Sequence, residues 1–127
     1  MKEPEADDIV VDVTWTGVSS GTERLLWSGR MPHFPGMGYP LVPGYETVGR
    51  VAGAGQGFRE AEEVFVPGAN CYTSVRGLFG GAAARLVIPA ARAVPLRGLS
   101  GEQGTLLALA ATAYRAVASE HANLPTL

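Results

Sequence analysis

Glycine and proline divide this chain into pieces too short for anything but strands, turns and one helix. There are 17 glycines and 9 prolines among 127 residues. Each proline removes a backbone donor, and a glycine inside an element costs about 0.5–1 kcal/mol relative to alanine. Between these breaks lie runs rich in β-branched residues. Residues 9–15, Ile-Val-Val-Asp-Val-Thr-Trp, predict a strand, and residues 48–52, 63–66 and 84–88 predict three more. They are separated by Gly53 to Gly57 and by the turn Pro67-Gly68-Ala69-Asn70. The spacing predicts a small barrel or sandwich.

Two helical segments interrupt this pattern. Residues 22–28 predict a short turn of helix, with Leu25, Leu26 and Trp27 clustered and Gly29 placed to stop it. Beyond Gly98, Ser100 and Gln103 are spaced as a capping box, and Leu106, Leu107, Ala110, Ala113 and then Ala116 or Val117 recur at helical spacing. A helix over 100–119 follows. Residues 31–40 hold three prolines and two glycines, which sustain neither a helix nor a ladder, so a shaped loop is expected there. No internal repeat divides the chain, and residues 1–127 read as a single domain with 100–119 leading away from it.

Composition narrows the functional classes. Hydrophobic residues make up 46% and charged residues 17%, which suits an ordered domain with a modest core. The net charge of -2 and pI near 5.6 leave no basic face for a phosphate backbone, so no nucleic-acid partner is expected. The longest apolar stretch, residues 106–111, falls far short of the roughly 20 residues of a membrane span. Residues 1–8 are acidic, unlike a signal peptide. The lone Cys71 allows no internal disulfide and lacks the neighbouring ligands of a metal site, consistent with a cytoplasmic protein.

The run Pro43-Gly44-Tyr45-Glu46-Thr47-Val48-Gly49-Arg50-Val51 concentrates the site chemistry. A glycine ahead of a buried acid lets the backbone turn, and Gly49 leaves room beside the apolar residues around it. Glu46 then requires a partner, with Arg50 the nearest cation, or else serves the site as an acid. His33 stands in the shaped loop among Phe34, Met37 and Tyr39. Ser20 and Thr22 lie in a glycine-flanked loop, where hydroxyls commonly satisfy local backbone amides.

Gly44-Tyr45-Glu46-x-x-Gly49-x-Val51 resembles the Gly-His-Glu-x-x-Gly-x-Val signature of zinc-dependent members of the medium-chain dehydrogenase/reductase family, with Tyr45 where the zinc histidine stands. The loop 17–23 is similar to the family's Cys-x-Thr/Ser-Asp segment, with Ser20 at the cysteine and Thr22 and Glu23 at the following pair. Residues 112–116 resemble the helix whose threonine, here Thr112, faces the nicotinamide. The resemblance implies a mainly β (α+β) domain of GroES-like, partly open barrel fold with one long C-terminal helix. It implies a catalytic set of Thr22, Tyr45, Ser20 and Glu46, substrate contacts from His33, Tyr39 and Arg24, and NAD held by a Rossmann domain not present here. With Tyr45 and Ser20 in place of histidine and cysteine, and one cysteine against the four of the family's structural zinc lobe, no zinc is expected.

A narrower resemblance runs through residues 21–32, 34–36, 38–46, 64–68 and 76–81, which are similar to a pigment-modifying branch of the family. It implies oxidation of the 3-(1-hydroxyethyl) group of a bacteriochlorophyllide to acetyl, in bacteriochlorophyll synthesis, with His33 a candidate ligand to the magnesium of such a ring and Arg24, Arg30 and Arg76 candidate donors to its propionate. Family members begin with a hairpin and continue into a Gly-x-Gly-x-x-Gly domain, so the expectation is a fragment, inactive alone, that self-associates into a homo-oligomer. Two classes stay open: the substrate domain of an oxidoreductase, or a non-catalytic module that binds a pigment or a partner protein.

Overall fold

The computed structural model describes residues 1–53, 55–99 and 101–121, with side chains as far as 118. In chain order the elements are β1 (Asp8–Thr16), α1 (Thr22–Trp27), β2 (Leu41–Val42), β3 (Thr47–Val51), β4 (Glu63–Val66), β5 (Arg76–Gly77), β6 (Arg85–Pro89), β7 (Val94–Pro95), α2 (Gly101–Gly104) and α3 (Leu107–His121). The four strands and the short helix expected from the sequence are all present. Strands β2, β5 and β7 have two residues each and carry no periodic signal of their own.

Five strands form an antiparallel sheet in the order β6-β1-β3-β4-β7, while β2 and β5 pair in parallel beside it. The sheet ends at β6 and β7 and does not close into a barrel. Alternation along β1 turns Ile9 and Val11 inward, where they meet Val51, Val64, Val66, Leu86 and Ile88. Each fully buried aliphatic side chain here contributes roughly 1.5–3 kcal/mol of transfer free energy. Cys71 is packed into this core as a free thiol.

The register of β1 against β3 shifts between Val13 and Trp15. Thr14 is the extra residue, and its hydroxyl donates to the Val48 carbonyl at 3.3 Å. Gly49 lies opposite, where a Cβ would sit 2.5 Å from the Asp12 carbonyl oxygen and 2.6 Å from Val11 Cγ1. The room expected of Gly49 is used by the neighbouring strand.

A second, smaller cluster of Val48, Phe65 and Leu96 receives Leu107 and Ala108 from α3. The helix expected over 100–119 is broken here. Thr105 and Leu106 close three-residue turns onto Glu102 and Gln103, and the Thr105 hydroxyl donates to the Glu102 carbonyl at 2.7 Å. Gly104 is what allows α2 to press down, since a Cβ would lie 2.7 Å from Leu96 Cδ1 and 2.8 Å from Val48 Cγ2. Ser100, the expected cap, lies outside the described residues. From Leu109 to residue 118 the side chains of α3 are exposed, so the apolar stripe read from the sequence is buried only at its start.

Candidate functional site

The site is built where the loop 17–21, α1 and the residues 43–45 that lead into β3 converge. Ser19 organises the loop: its hydroxyl donates to Glu23 Oε2 at 2.5 Å and accepts from the Thr22 amide at 3.2 Å, while Glu23 Oε2 also accepts from the Ser19 amide at 3.2 Å. This is a reciprocal clasp across the start of α1, close in logic to a capping box. Ser19 and Glu23, not Ser20 and Thr22, therefore satisfy the local backbone. The Ser-x-x-x-Glu spacing was the available signal. No described hydrogen bond engages the hydroxyls of Ser20 or Thr22.

At its other end α1 closes with Gly29 at φ +69°, the Arg30 amide donating to Leu25 and the Gly29 amide to Leu26. That pattern is a Schellman motif, which needs a residue comfortable in the left-handed region. The expected stop at Gly29 is present.

Gly44 sets the position of Tyr45. Its φ is +102° and a Cβ would lie 2.7 Å from the Ala82 amide nitrogen, so only glycine fits. Amides of Gly81 and Ala82 donate to Gly44 and Pro43 at 2.8 and 2.9 Å and clamp the turn. Tyr45 then projects against Phe79, and these two residues line a cavity of about 470 Å³ with Thr22, Pro67 and Ala108.

A larger cavity of about 740 Å³ lies beside it, lined by Ser20, Glu23, Arg24, Leu26, Trp27, Tyr39, Leu41 and the loop residues 17–19, 43, 44 and 82. The size is that of a small-molecule site, about 300–1,000 Å³. Gly44 lines one cavity and Tyr45 the other, so the two are neighbours along the chain. The hydroxyl set expected together is thus divided, with Tyr45 and Thr22 on one side and Ser20 with Arg24 and Tyr39 on the other. Tyr39 is anchored by a hydrogen bond from its phenol to the Leu26 carbonyl.

Glu46 lines neither cavity. It is buried against Gly17, whose amide donates to the Glu46 carbonyl at 2.7 Å, and a Cβ on Gly17 would fall 2.2 Å from Glu46 Oε2. The pairing of Glu46 with Arg50 is not formed. Arg50 faces solvent and meets Glu63 at 3.4 Å across β3 and β4. His33 is exposed and lines neither cavity. Thr112 is exposed on α3, its hydroxyl donating to the Ala108 carbonyl at 3.0 Å. It sits one turn beyond Ala108, on the face that closes the cavity of Tyr45.

Three ionisable groups outside the site, Tyr72 and the pair Asp12 and Arg85, are perturbed. Burial pushes the Tyr72 phenol up to about 12, with Cys71 beside it adding to the rise, and its hydroxyl donates to the Gly80 carbonyl. The hydrogen bond from Arg85, 2.6 Å away, holds the Asp12 carboxyl below the usual range.

A zinc ion would need thiolate, imidazole or carboxylate donors converging on one point. Ser20 and Tyr45 offer a hydroxyl and a phenol, in different cavities, and among the described residues no three His, Cys, Asp or Glu side chains come together. This donor set does not fit zinc.

Comparison with known proteins agrees with the fold. The alcohol dehydrogenase GroES-like domain matches residues 5–98. The chain is 54% identical over 130 residues to the 2-desacetyl-2-hydroxyethyl bacteriochlorophyllide A dehydrogenase of Rhodobacter capsulatus and 52% identical over 134 residues to that of Cereibacter sphaeroides. All of the chain is covered in both matches, and it spans 41% and 42% of those curated relatives. Among solved structures, galactitol-1-phosphate dehydrogenase from Escherichia coli superposes with a TM-score of 0.62 at 18% identity, covering 84% of this chain and 36% of that one. Glucose dehydrogenase from Haloferax mediterranei gives 0.62 at 23% identity, covering 82% and 36%. These two share the fold. The open five-stranded sheet, the loop and helix that frame Tyr45, and the match over residues 5–98 place the chain in the alcohol dehydrogenase GroES-like domain family.

Proposed function

We propose that this chain is the substrate domain of a zinc-free, NAD-dependent alcohol dehydrogenase that oxidises the 3-(1-hydroxyethyl) group of a bacteriochlorophyllide to acetyl. The observation that carries the reading is the shared cavity of Tyr45 and Thr22, two side chains whose hydroxyls no described hydrogen bond engages, beside a larger apolar cavity. The names and identities of the two bacterial relatives support the substrate class.

Alcohol oxidation requires a carbinol carbon held in place and a route for the hydroxyl proton. Thr22 accepts the hydrogen bond of the substrate hydroxyl and relays its proton to solvent as the hydride leaves, and the Tyr45 phenol donates to the same oxygen and fixes its orientation. Ser20, two residues from Thr22, borders the larger cavity. A bound nicotinamide supplies the hydride acceptor. The sequence contains no glycine-rich strand-to-helix turn for its phosphates, so this domain holds the alcohol and not the dinucleotide. Thr112 is the side chain on α3 from which the domain would meet the nicotinamide.

The buried reduced Cys71 suits the cytoplasm. The sheet margins at β6 and β7, with Leu109 and Tyr114 exposed on α3, suit a homo-oligomer. Among the described residues no helix is long and apolar enough to cross a membrane.

The test uses a protein of the relatives' full length with 3-(1-hydroxyethyl) bacteriochlorophyllide and NAD. Conversion to the acetyl product, seen as a shift of the macrocycle absorption together with reduced nicotinamide, is expected, and residues 1–127 alone should give none. Pigment binding without turnover, with NAD and with NADP, would replace this reading by the non-catalytic module.

A further inference from the structure

The larger cavity brings a single cation to an otherwise apolar wall. Leu26, Trp27 and Leu41 belong to that wall, and Trp27 is 90% exposed, a large aromatic surface left to water. The polar groups around it are mostly engaged. Glu23 is taken by Ser19 through two hydrogen bonds, and the Tyr39 hydroxyl is taken by the Leu26 carbonyl. The Ser20 hydroxyl and the Arg24 guanidinium remain, and Arg24, which no described hydrogen bond or ion pair engages, is the charged one.

The other two arginines considered as carboxylate donors are placed elsewhere. Arg30 donates through Nε to the Ser28 hydroxyl at 3.2 Å and does not line the cavity. Arg76 lies across Gly38, whose Cβ would fall 2.6 Å from Arg76 Nε, and it lines a separate, smaller cavity of about 280 Å³. Arg24 alone of the three faces the space beside Tyr45 and Thr22.

A guanidinium presents a planar fork that matches a carboxylate with two parallel hydrogen bonds, and it gains most where the surroundings are apolar. An aromatic wall beside it favours a flat ring. We propose that Arg24 is a specificity residue, receiving the side-chain carboxylate of a flat, apolar macrocycle laid against Trp27 and Tyr39, with the reacting alcohol turned toward Tyr45 and Thr22. This deepens the proposed function and rests on it for the placement of the alcohol. Because Gly44 and Tyr45 are consecutive and line the two cavities, the ring's space adjoins that of its alcohol arm.

The experiment uses the full-length protein and two probes, pheophorbide a with its free propionate and the methyl ester of that propionate, followed by quenching of tryptophan fluorescence. The wild type should bind the acid at least about tenfold more tightly than the ester. Arg24→Gln should remove that preference by weakening the acid alone, and Arg24→Lys should restore part of it, keeping the charge without the fork. With the hydroxyethyl substrate as acid, Arg24→Gln should raise KM by about tenfold and leave kcat unchanged. Equal binding of acid and ester by the wild type, or equal loss of both in Arg24→Gln, would overturn the assignment. Arg24-dependent binding of the acid without any oxidation of the hydroxyethyl group would instead sink the reaction and leave the carboxylate site standing. Oxidation of acid and ester with the same KM would do the reverse.

Discussion

The rings of Tyr45 and Phe79 meet edge to face, with centroids 5.2 Å apart and planes inclined at 75°. Phe79 holds this position with φ at +64°, an arrangement that a residue with a Cβ adopts only when its surroundings compensate. The pair fixes the direction of the Tyr45 phenol, which separates what the ring does from what the hydroxyl does. Tyr45→Phe should keep thermal stability within about 0.5 kcal/mol and lower kcat of the full-length enzyme by about tenfold or more. Tyr45→Ala should in addition cost about 1–3 kcal/mol in urea unfolding, because the aromatic contact is lost. Unaltered turnover in Tyr45→Phe would remove the phenol from the chemistry.

Gly49 tests the sheet. A Cβ there would press on backbone and on Val11, neither of which is the free end of a flexible chain. Gly49→Ala should destabilise by about 1–3 kcal/mol in urea denaturation, through overpacking at the bulge. A neutral result would mean that β1 and β3 can part without cost.

Tyr72 predicts an alkaline limb. Its folded-state pKa is raised to about 12 from the usual 10.0, so folding favours the protonated phenol. The associated stability is fully present below pH 10 and is lost as pH rises toward 12, because the unfolded chain gives up the proton first. Tyr72→Phe should flatten that decline while costing about 1 kcal/mol at neutral pH for the hydrogen bond to Gly80. Thermal melts at a series of alkaline pH values compare the two proteins.

The donor chemistry of Ser20 and Tyr45 predicts indifference to zinc. The full-length enzyme should carry less than stoichiometric zinc by elemental analysis and keep its turnover after dialysis against a chelator. Loss of turnover on chelation, restored by zinc, would place a metal in the reaction.

Much of the fold is legible in the chain because its rules are local. β-branched runs mark β1, β3, β4 and β6, and Gly29 marks the end of α1, since a left-handed residue is needed there whatever packs around it. Gly44 is legible for the same reason, and Gly49 because the neighbouring strand leaves no room for a Cβ. The two-residue strands are not, because each is defined only by a partner far along the chain, as Leu41 is by Arg76. The break between α2 and α3 is hidden too. Helical spacing runs through it, and it is the packing of Gly104 on Val48 and Leu96 that turns the chain.

The sequence by itself determined the family pattern, the residue types at its key positions and the absence of a thiolate and an imidazole where zinc members carry them. Only the tertiary structure decided how those side chains are grouped. It set Tyr45 with Thr22 and Ser20 with Arg24, left His33 in solvent and turned Arg50 from Glu46 to Glu63. Spacing along a strand or helix fixes which way a residue faces relative to its neighbours. Which cavity it faces depends on the turns at Gly44 and Gly81 and on the crossing of α1, contacts between residues far apart in the chain.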